Sequence, residues 1–497
     1  MQPKSKSTRV KTLTQQLTCF LSIFFVATIN IAADTNSVAV EAESNNGHFF
    51  ARQFLQTTST SQNITNLTII NTSEQHQIFK GTLWNGEGTQ QGSETMLLGK
   101  AVPPMGRINL SSEAIENIFG IGAWKGPAIL RVESRGNFDL ISKLISPSGL
   151  ISNTNCVREG NVLNVEGFDS TNMTFIRLIN TNDSETGVVI GTLYDSRGNV
   201  VGRADSVLAA NLTSFQQLWL SRKDLANKVG SEWSGEALLE FGQIDGLKLL
   251  NLNYITDEKT FFNFSCFEDS DSARVYLQTT STSQNVSFTH LVNTSDADQQ
   301  FFGTLFNRDG HVIGFRNQPL HFDVIPPRGR LIISSEDIES AFGISPWSGP
   351  AMLEVKASGT FELMTKLTSP SGLTSNTNCV RKDSVHNIGG FDQSNMGYIR
   401  FINIGDTPIR NIRGSIYNSD GNSIGDPNII LISELPPKAQ VWRNRNELSS
   451  TFGDTWNDTA ALKITNPDAN LRLINLVYVN NATFFNFSCY EKAERLR

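Results

Sequence analysis

A chain of 497 residues is too long for one hydrophobic core and suits several domains of roughly 100–150 residues each. Its formal net charge of −7 disfavours nucleic acid and anionic membranes as partners. Both bind clustered lysine and arginine, and the sequence has no such cluster.

The N-terminal stretch Met1–Ala33 has the pattern of a secretory signal peptide. Four basic residues come first: Lys4, Lys6, Arg9 and Lys11. An apolar run, Cys19–Ala33, follows them and ends in small residues. The run is shorter than the roughly 20 residues of a membrane-spanning helix, and no later segment competes with it. We therefore expect a secreted, extracellular or cell-surface protein, with the periplasm as a further compartment, and no transmembrane segment in the mature chain.

After the leader, residues 34–50 are small, polar and acidic, which predicts a disordered lead-in. Removing the leader takes away four basic residues and no acidic ones. The mature chain then has 37 basic residues against 48 acidic ones, a net charge of −11.

From residue 51 onward the chain repeats the same landmarks four times. A tryptophan follows a short acidic segment in each copy, at Trp124, Trp233, Trp347 and Trp456. Each copy closes on a cysteine, and the spacing of these cysteines is nearly constant: Cys156, Cys266, Cys379 and Cys489. Copies one and three share Leu-Gln-Thr-Thr-Ser-Thr-Ser-Gln-Asn, whereas copies two and four end in Phe-Phe-Asn-Phe-Ser-Cys. A two-repeat unit was therefore duplicated, giving repeats A1 (51–158), B1 (166–268), A2 (273–381) and B2 (389–491).

Within each copy, short apolar runs separated by turns predict about seven strands. A hairpin turn rich in Asn, Asp and Gly joins two of these strands, for example Trp84–Gly88 in A1 and Phe306–Gly310 in A2. One short helix follows, and three copies show an N-terminal capping pair: Ser221 with Asp224, Ser334 with Asp337 and Asn444 with Glu447. A glycine ends the helix in every copy, at Gly120, Gly230, Gly343 and Gly453. Such a module is typical of a β-sandwich, with the repeated tryptophan in its core.

Several runs carry a resemblance to a known class of repeat. They are Tyr398-Ile-Arg-Phe-Ile-Asn, Tyr417-Asn-Ser-Asp-Gly-Asn and Trp233-Ser-Gly-Glu-Ala-Leu-Leu-Glu. The chain resembles tandem immunoglobulin-like repeats of secreted and cell-surface bacterial proteins over roughly residues 51–490. The resemblance implies an all-β fold of four immunoglobulin-like β-sandwich modules of about 110 residues, each with one short helix. It also implies accessory modules rather than a catalytic domain, although a fold alone does not transfer a function.

The four cysteines of the repeats fit disulfides in an exported protein. Equivalent cysteines of neighbouring modules meet only if the modules pair about a pseudo-two-fold axis. We therefore predict the bridges Cys156–Cys266 and Cys379–Cys489, each joining an A module to its B partner. Four free buried thiols are the alternative, and a zinc site is less favoured because no two of these cysteines are close in sequence.

No catalytic constellation is evident. None of the six histidines has a histidine at the matching position of the sister unit, and no zinc-protease, phosphate-loop or nucleophile-elbow motif is present. Acidic hairpin residues could suggest calcium, but turn chemistry explains them better: Asp195, Asp309, Asp420 and Asn422. We predict no catalytic residue, no cofactor and no metal. A hydrolase with an unrecognised acid pair ranks last.

Two pairs of residues distinguish the B repeats from the A repeats. Trp219 and Trp442 could stack on sugars or anchor a protein, and packing of A on B is the simpler alternative. Arg177 and Arg400 could belong to the same ligand site or pair with an acid across the module interface. The leading hypothesis is a non-enzymatic structural, adhesion or binding protein whose partner is an extracellular protein or a polysaccharide surface. A carbohydrate-binding accessory protein that uses the two tryptophans is the second.

Overall fold

The computed structural model describes residues 47–147, 149–155, 157–158, 162–255, 260–265, 268–370, 372–382, 385–479 and 483–495. The predicted signal peptide, most of the predicted lead-in, Cys156 and Cys266 lie outside these residues. Over the described ranges the fold is all-β, with antiparallel sheets and four short helices. None of these helices has the length and apolar character needed to cross a membrane.

Repeat A1 has two antiparallel sheets and one helix. Its elements are β1 (Phe49–Leu55), β2 (Ile64–Asn71), β3 (Lys80–Asn85), β4 (Gln90–Leu97), β5 (Arg107–Ser111), α1 (Ser112–Phe119), β6 (Ala128–Ser134), β7 (Phe138–Ile145) and β8 (Ile151–Asn153). One sheet has the order β1-β6-β3-β4, and the other has the order β7-β2-β5. Strand β8 pairs with the side of β7 that faces away from β2. Strand β1 begins inside the stretch expected to be disordered, because Phe49 and Phe50 continue its pairing with β6.

Repeats B1 and B2 each have two four-stranded sheets. The elements of B1 are β9 (Val162–Glu166), β10 (Met173–Asn180), β11 (Val189–Tyr194), β12 (Ser206–Ala209), β13 (Gln217–Ser221), α2 (Arg222–Val229), β14 (Glu236–Phe241), β15 (Leu247–Ile255) and β16 (Thr260–Asn263). Its sheets have the orders β13-β10-β15-β16 and β12-β11-β14-β9.

The third repeat, A2, follows the plan of A1, with one difference. Its elements are β17 (Glu268–Leu277), β18 (Val286–Asn293), β19 (Phe302–Phe306), β20 (Val312–Pro319), β21 (Arg330–Ser334), α3 (Ser335–Phe342), β22 (Ala351–Thr368) and β23 (Thr374–Asn376). The single strand β22 spans 18 residues and pairs in both halves of the repeat, where A1 has the two strands β6 and β7.

The last repeat, B2, matches B1, and two further short strands follow it. Its elements are β24 (Val385–Ile388), β25 (Met396–Asn403), β26 (Ile409–Tyr417), β27 (Ser423–Leu435), β28 (Gln440–Asn444), α4 (Arg445–Phe452), β29 (Ala460–Ile464), β30 (Leu471–Val479) and β31 (Thr483–Asn486). The chain then adds β32 (Glu491–Lys492) and β33 (Glu494–Arg495).

The helix predictions are confirmed in all four repeats. Ser221, Ser334 and Asn444 form capping boxes with Asp224, Asp337 and Glu447, as the sequence predicts. Each helix ends at a left-handed glycine, with φ between 64° and 79°. The inward aliphatic residues and the repeated tryptophans are buried in the four repeat cores. The helix therefore closes one end of each core.

The repeats contact one another in a closed ring. Each hairpin turn accepts a backbone hydrogen bond from the strand that precedes the helix of the next repeat. The four bonds join Gln217 N to Gly86 O, Arg330 N to Ser196 O, Gln440 N to Arg308 O and Arg107 N to Ser419 O, at 2.7 to 3.0 Å. Because the fourth bond runs from B2 back to A1, the cyclic order is A1, B1, A2, B2.

The centre of the ring is filled by side chains from all four repeats. Strands β8, β16, β23 and β31 each contact their two neighbours in the ring. Phe262 and Phe485 stack there with ring centroids 5.0 Å apart, inside an apolar cluster that includes Leu150 and Leu373. Two buried ion pairs cross between the A repeats: Arg158 with Glu362, and Arg381 with Asp139.

The C-terminal residues complete the sheets of the first repeat. Strand β32 pairs with β7, and β33 pairs with β1. In A2 the corresponding pairing is made by β17, which enters directly from the preceding repeat. Strands β32 and β33 therefore complete the sheets of A1 in the way that β17, at the connection from B1, completes those of A2.

Candidate binding sites at the repeat interfaces

The four interfaces of the ring are of two kinds. The A1–B1 and A2–B2 interfaces contain apolar clusters built from both repeats, around Phe54 and Phe215 in the first and around Phe306 and Ile474 in the second. The B1–A2 and B2–A1 interfaces have smaller apolar clusters. The candidate ligand or interface residues from the sequence, namely Arg177, Arg400, Trp219 and Trp442, lie at the first kind of interface.

Arg177 and Arg400 are fully buried between the A and B repeats. The Arg177 guanidinium donates to Leu55 O and Ala128 O, both at 3.3 Å, and to the side-chain oxygens of Gln56 and Gln217. Arg400 makes the same contacts to Leu277 O, Ala351 O and Gln440. The expected acid partner is replaced by amide and backbone acceptors, because the guanidinium meets carbonyl groups at the ends of two A-repeat strands. Burial lowers the pKa of Arg400 to about 9 and shifts the pKa of Arg177 in the same direction.

Trp219 and Trp442 are partly buried and pack in aromatic groups of the B repeats. Trp219 contacts the rings of Phe175 and Phe261, and Trp442 contacts those of Tyr398 and Phe484. Both indoles join the apolar clusters at the A–B interfaces. Packing of A on B is thus one role of each indole.

Trp442 also lines a surface groove of about 760 Å³ between A2 and B2. The groove is bounded by strand β27 and the start of α4 on one side and by the A2 hairpin on the other. Its charged lining residues are Arg308, Asp309, Glu434, Arg443 and Glu447. An aromatic edge surrounded by planar polar groups is an arrangement that can bind a sugar or a peptide.

A carboxylate lies at the centre of the B1–A2 interface. Glu236 Oε1 lies 2.6 Å from Lys366 Nζ, and its Oε2 lies 3.1 Å from His290 Nδ1 and 3.4 Å from an Arg330 nitrogen. Asn164 Nδ2 donates to the same carboxylate at 2.5 Å. Burial opposes ionisation of Glu236, but His290 and Lys366 hold its pKa well below the usual value.

Cys379 and Cys489 are the two repeat cysteines among the described residues. Residues of neighbouring repeats surround them at the centre of the ring. Asn153 and Asn155 in A1 both donate to Cys489 O at 3.1 Å, and Asn486 in B2 donates to Cys379 O at 2.8 Å. Since Cys156 and Cys266 lie outside the described residues, the pairing of the four cysteines stays a prediction.

Asp and Asn side chains of the hairpins stabilise the turns in which they lie. Asp195 Oδ1 accepts hydrogen bonds from the backbone of Arg197 and Asn199, and Asn307 and Asn418 do the same in their own turns. Over the described ranges no group of three His, Cys, Asp or Glu side chains could hold a metal ion. Sequence reasoning did not identify Glu236, Lys366 or His290, although comparison of the two duplicated units shows how these positions differ.

No protein-family model matches this sequence, and searches of curated proteins and of solved structures found no match.

Proposed function

We propose that the chain is a secreted or cell-surface, non-enzymatic structural and binding protein made of four immunoglobulin-like β-sandwich repeats. The closed ring is the observation that carries this proposal. A ring in which each repeat contacts its two neighbours, and in which further contacts cross the centre, holds its loops and grooves in fixed relative positions. Fixed positions of this kind suit multivalent contact with a surface. The ionisable groups of the A–B and B1–A2 interfaces support the same conclusion, because Arg177, Arg400 and Glu236 all bind neighbouring repeats.

A carbohydrate-binding role is the second candidate, and the Trp442 groove favours it. The groove combines an indole with two arginines and three carboxylates, which is the mixture of stacking and hydrogen bonding that sugar recognition uses. An extracellular polysaccharide would fit this chemistry. The leading candidate instead places an extracellular protein partner on the ring.

The test is a pull-down of the mature chain with insoluble polysaccharides and with cell-wall fractions. We expect retention on at least one of these surfaces. Retention by polysaccharide that is lost in Trp442→Ala and kept in Trp442→Phe would support the carbohydrate role. Retention only by protein-containing fractions would support a protein partner, and no retention on any surface would contradict a binding function.

Trp219→Ala is the matched control, because Trp219 has the same packing role in B1. If both alanine variants lose retention together with thermal stability, the indoles act through interface packing. If only Trp442→Ala loses retention, at an unchanged melting temperature, the groove is the binding site.

A further inference from the structure

The two B–A interfaces are related by the duplication of the two-repeat unit, yet their charges differ. The B1–A2 interface sets three carboxylates against three bases: Glu166, Glu236 and Glu240 against Arg328, Arg330 and Lys366. The equivalent positions of the B2–A1 interface are Gly389, Thr459 and Lys463 on one side and Met105, Arg107 and Lys143 on the other. All three carboxylates are therefore absent at B2–A1, while three bases remain.

The backbone of the two interfaces is nevertheless the same. Arg107 pairs with Ile70 and Lys143 pairs with Asn66, as Arg330 pairs with Val292 and Lys366 with Phe288. The hairpin contact is also conserved, from Arg107 N to Ser419 O and from Arg330 N to Ser196 O. Arg107 and Lys143 thus occupy the same sheet positions as Arg330 and Lys366. In the sister interface, the side chains of Arg330 and Lys366 bind the carboxylate of Glu236.

Arg107 and Lys143 have no such partner in the described part of the chain. Arg107 is only 7% exposed, and its Nε and one terminal nitrogen are buried without a hydrogen bond. Lys143 forms no ion pair with the described residues and lies over the ring of Phe487, 5.2 Å from its centroid. An unpaired buried guanidinium beside an unpaired ammonium is costly unless an anion accompanies them.

The nearest carboxylates do not fill this role. Asp458 and Asp420 are close enough to favour the charged form of Arg107, but both side chains are exposed, and neither makes an ion pair with Arg107 or Lys143. Thr459, which takes the place of Glu236, is partly buried and carries no charge. No described carboxylate therefore takes, at the B2–A1 interface, the place that Glu236 has in the sister interface.

We propose that the B2–A1 interface binds a small free oxyanion, such as phosphate or a carboxylate, between Arg107 and Lys143. The oxyanion takes the place that the Glu236 carboxylate occupies in the B1–A2 interface. The Arg107 fork donates hydrogen bonds to the oxyanion, and Lys143 contributes a point charge, which is the division of labour these side chains show at phosphate and carboxylate sites. This inference stands independently of the proposed function.

The electrostatics of the two bases agree with the geometry. Burial, followed by the charge of Arg107, lowers the pKa of Lys143 to about 8. Burial lowers the pKa of Arg107 to about 10. Burial thus destabilises the charged forms of both side chains, and a bound anion stabilises these charged forms. Since the site joins the first repeat to the last, the bound anion also stabilises the closure of the ring.

The experiment measures calorimetric binding and melting temperature of the mature chain in a chloride buffer, with phosphate, sulfate and acetate as probes. We expect saturable binding of one anion per chain and a rise of the melting temperature with its concentration. Tighter binding of phosphate or sulfate would indicate a tetrahedral ligand, and tighter binding of acetate would indicate a carboxylate.

Two reciprocal substitutions provide the controls. Thr459→Glu supplies the carboxylate internally, so it should raise the melting temperature and abolish anion binding. The double variant Glu166→Gly/Glu236→Thr removes both carboxylates that pair with Lys366 in the sister interface, so it should lower the melting temperature and raise the stoichiometry from one anion to two. Failure of the wild-type chain to bind any probe, or unchanged binding by Thr459→Glu, would overturn the proposal.

Discussion

At the residue scale, the asparagine that recurs in every repeat has a structural role. Asn71, Asn180, Asn293 and Asn403 are fully buried, and each side-chain amide donates to carbonyl groups of two nearby loops. Asn71 and Asn293 also begin Asn-x-Ser sequences of the kind that can accept a glycan. Their burial excludes glycan attachment in the folded chain, so these two sequences reflect the loop chemistry of the repeat.

Replacement of a buried arginine tests the A–B interface. Arg177→Ala should lower the free energy of unfolding by about 3 kcal/mol, because it leaves several buried acceptors unsatisfied and opens a cavity. The measurement is the shift of the denaturation midpoint. Arg197→Ala, on an exposed hairpin turn of the same repeat, is the control and should change the midpoint little. Equal effects of the two substitutions would contradict the role given to Arg177.

The pKa of Lys143 gives a prediction with a definite sign. Its folded value of about 8 lies below the ordinary value of 10.5, so the unfolded chain binds more protons between these pH values. Without added oxyanion, stability should therefore rise as pH increases from about 8 to 10.5. Lys143→Met should stabilise the chain at pH 7 by about 1–2 kcal/mol, a figure reduced because the side chain is only partly buried.

Melting temperatures across this pH range provide the measurement. The advantage of Lys143→Met should shrink above pH 8 and vanish near pH 10.5. An advantage that is independent of pH would indicate a packing effect, and the charge of Lys143 would then have no part in it.

At the element scale, the sequence predicts local features well. Helix caps, terminal glycines and hairpin turns depend on residues within a few positions of one another, and the structure confirms them. The partners of Arg177 were not predictable, because they depend on which strand ends face each other across an interface. The sequence does contain a signal for the unpaired bases Arg107 and Lys143. When the two duplicated units are aligned, the second unit lacks the carboxylates of Glu166, Glu236 and Glu240.

The hairpin glycines test the contact between repeats. Gly310 has a φ of 85°, and a Cβ at this position would overlap the carbonyl oxygen of Pro437 in the next repeat. Gly372 has a similar φ of 82° but no atom within 4 Å of an added Cβ. Gly372→Ala should therefore lower the free energy of unfolding by about 1 kcal/mol, from backbone strain alone.

Gly310→Ala should lower the free energy of unfolding by about 2–4 kcal/mol, because it adds displacement of the A2–B2 contact to the backbone strain. Thermal unfolding of the two variants side by side measures the difference. Similar losses would mean that the hairpin contact contributes little to the ring.

At the scale of the whole molecule, the sequence predicts an order of repeats but carries no signal for the closure of the ring. The A-B-A-B order follows from landmarks read along the chain. Closure depends on contacts such as that between Arg107 and Ser419, which belong to the first and the last repeat and have no local signature. The buried ion pair of Arg381 with Asp139 is a further long-range contact of this kind.

Truncation tests the closure. A stop after Tyr490 removes β32 and β33 and should leave the edges of β7 and β1 unpaired. We expect a lower melting temperature and faster proteolysis within A1, measured by mass spectrometry of the fragments. A stop after Arg495 retains both strands and should behave as the full chain. Equal protease resistance of the two truncated chains would show that the C-terminal strands are dispensable.

The dependence of A1 on β32 and β33 also determines when the protein can finish folding during its synthesis. The first repeat is synthesised before the others, but two strands of its sheets follow the fourth repeat. Until then A1 carries open sheet edges, which are sites of mispairing with other chains. A chain released before Glu491 could not complete the sheets of its first repeat, so these sheets depend on the prior synthesis of the other three repeats.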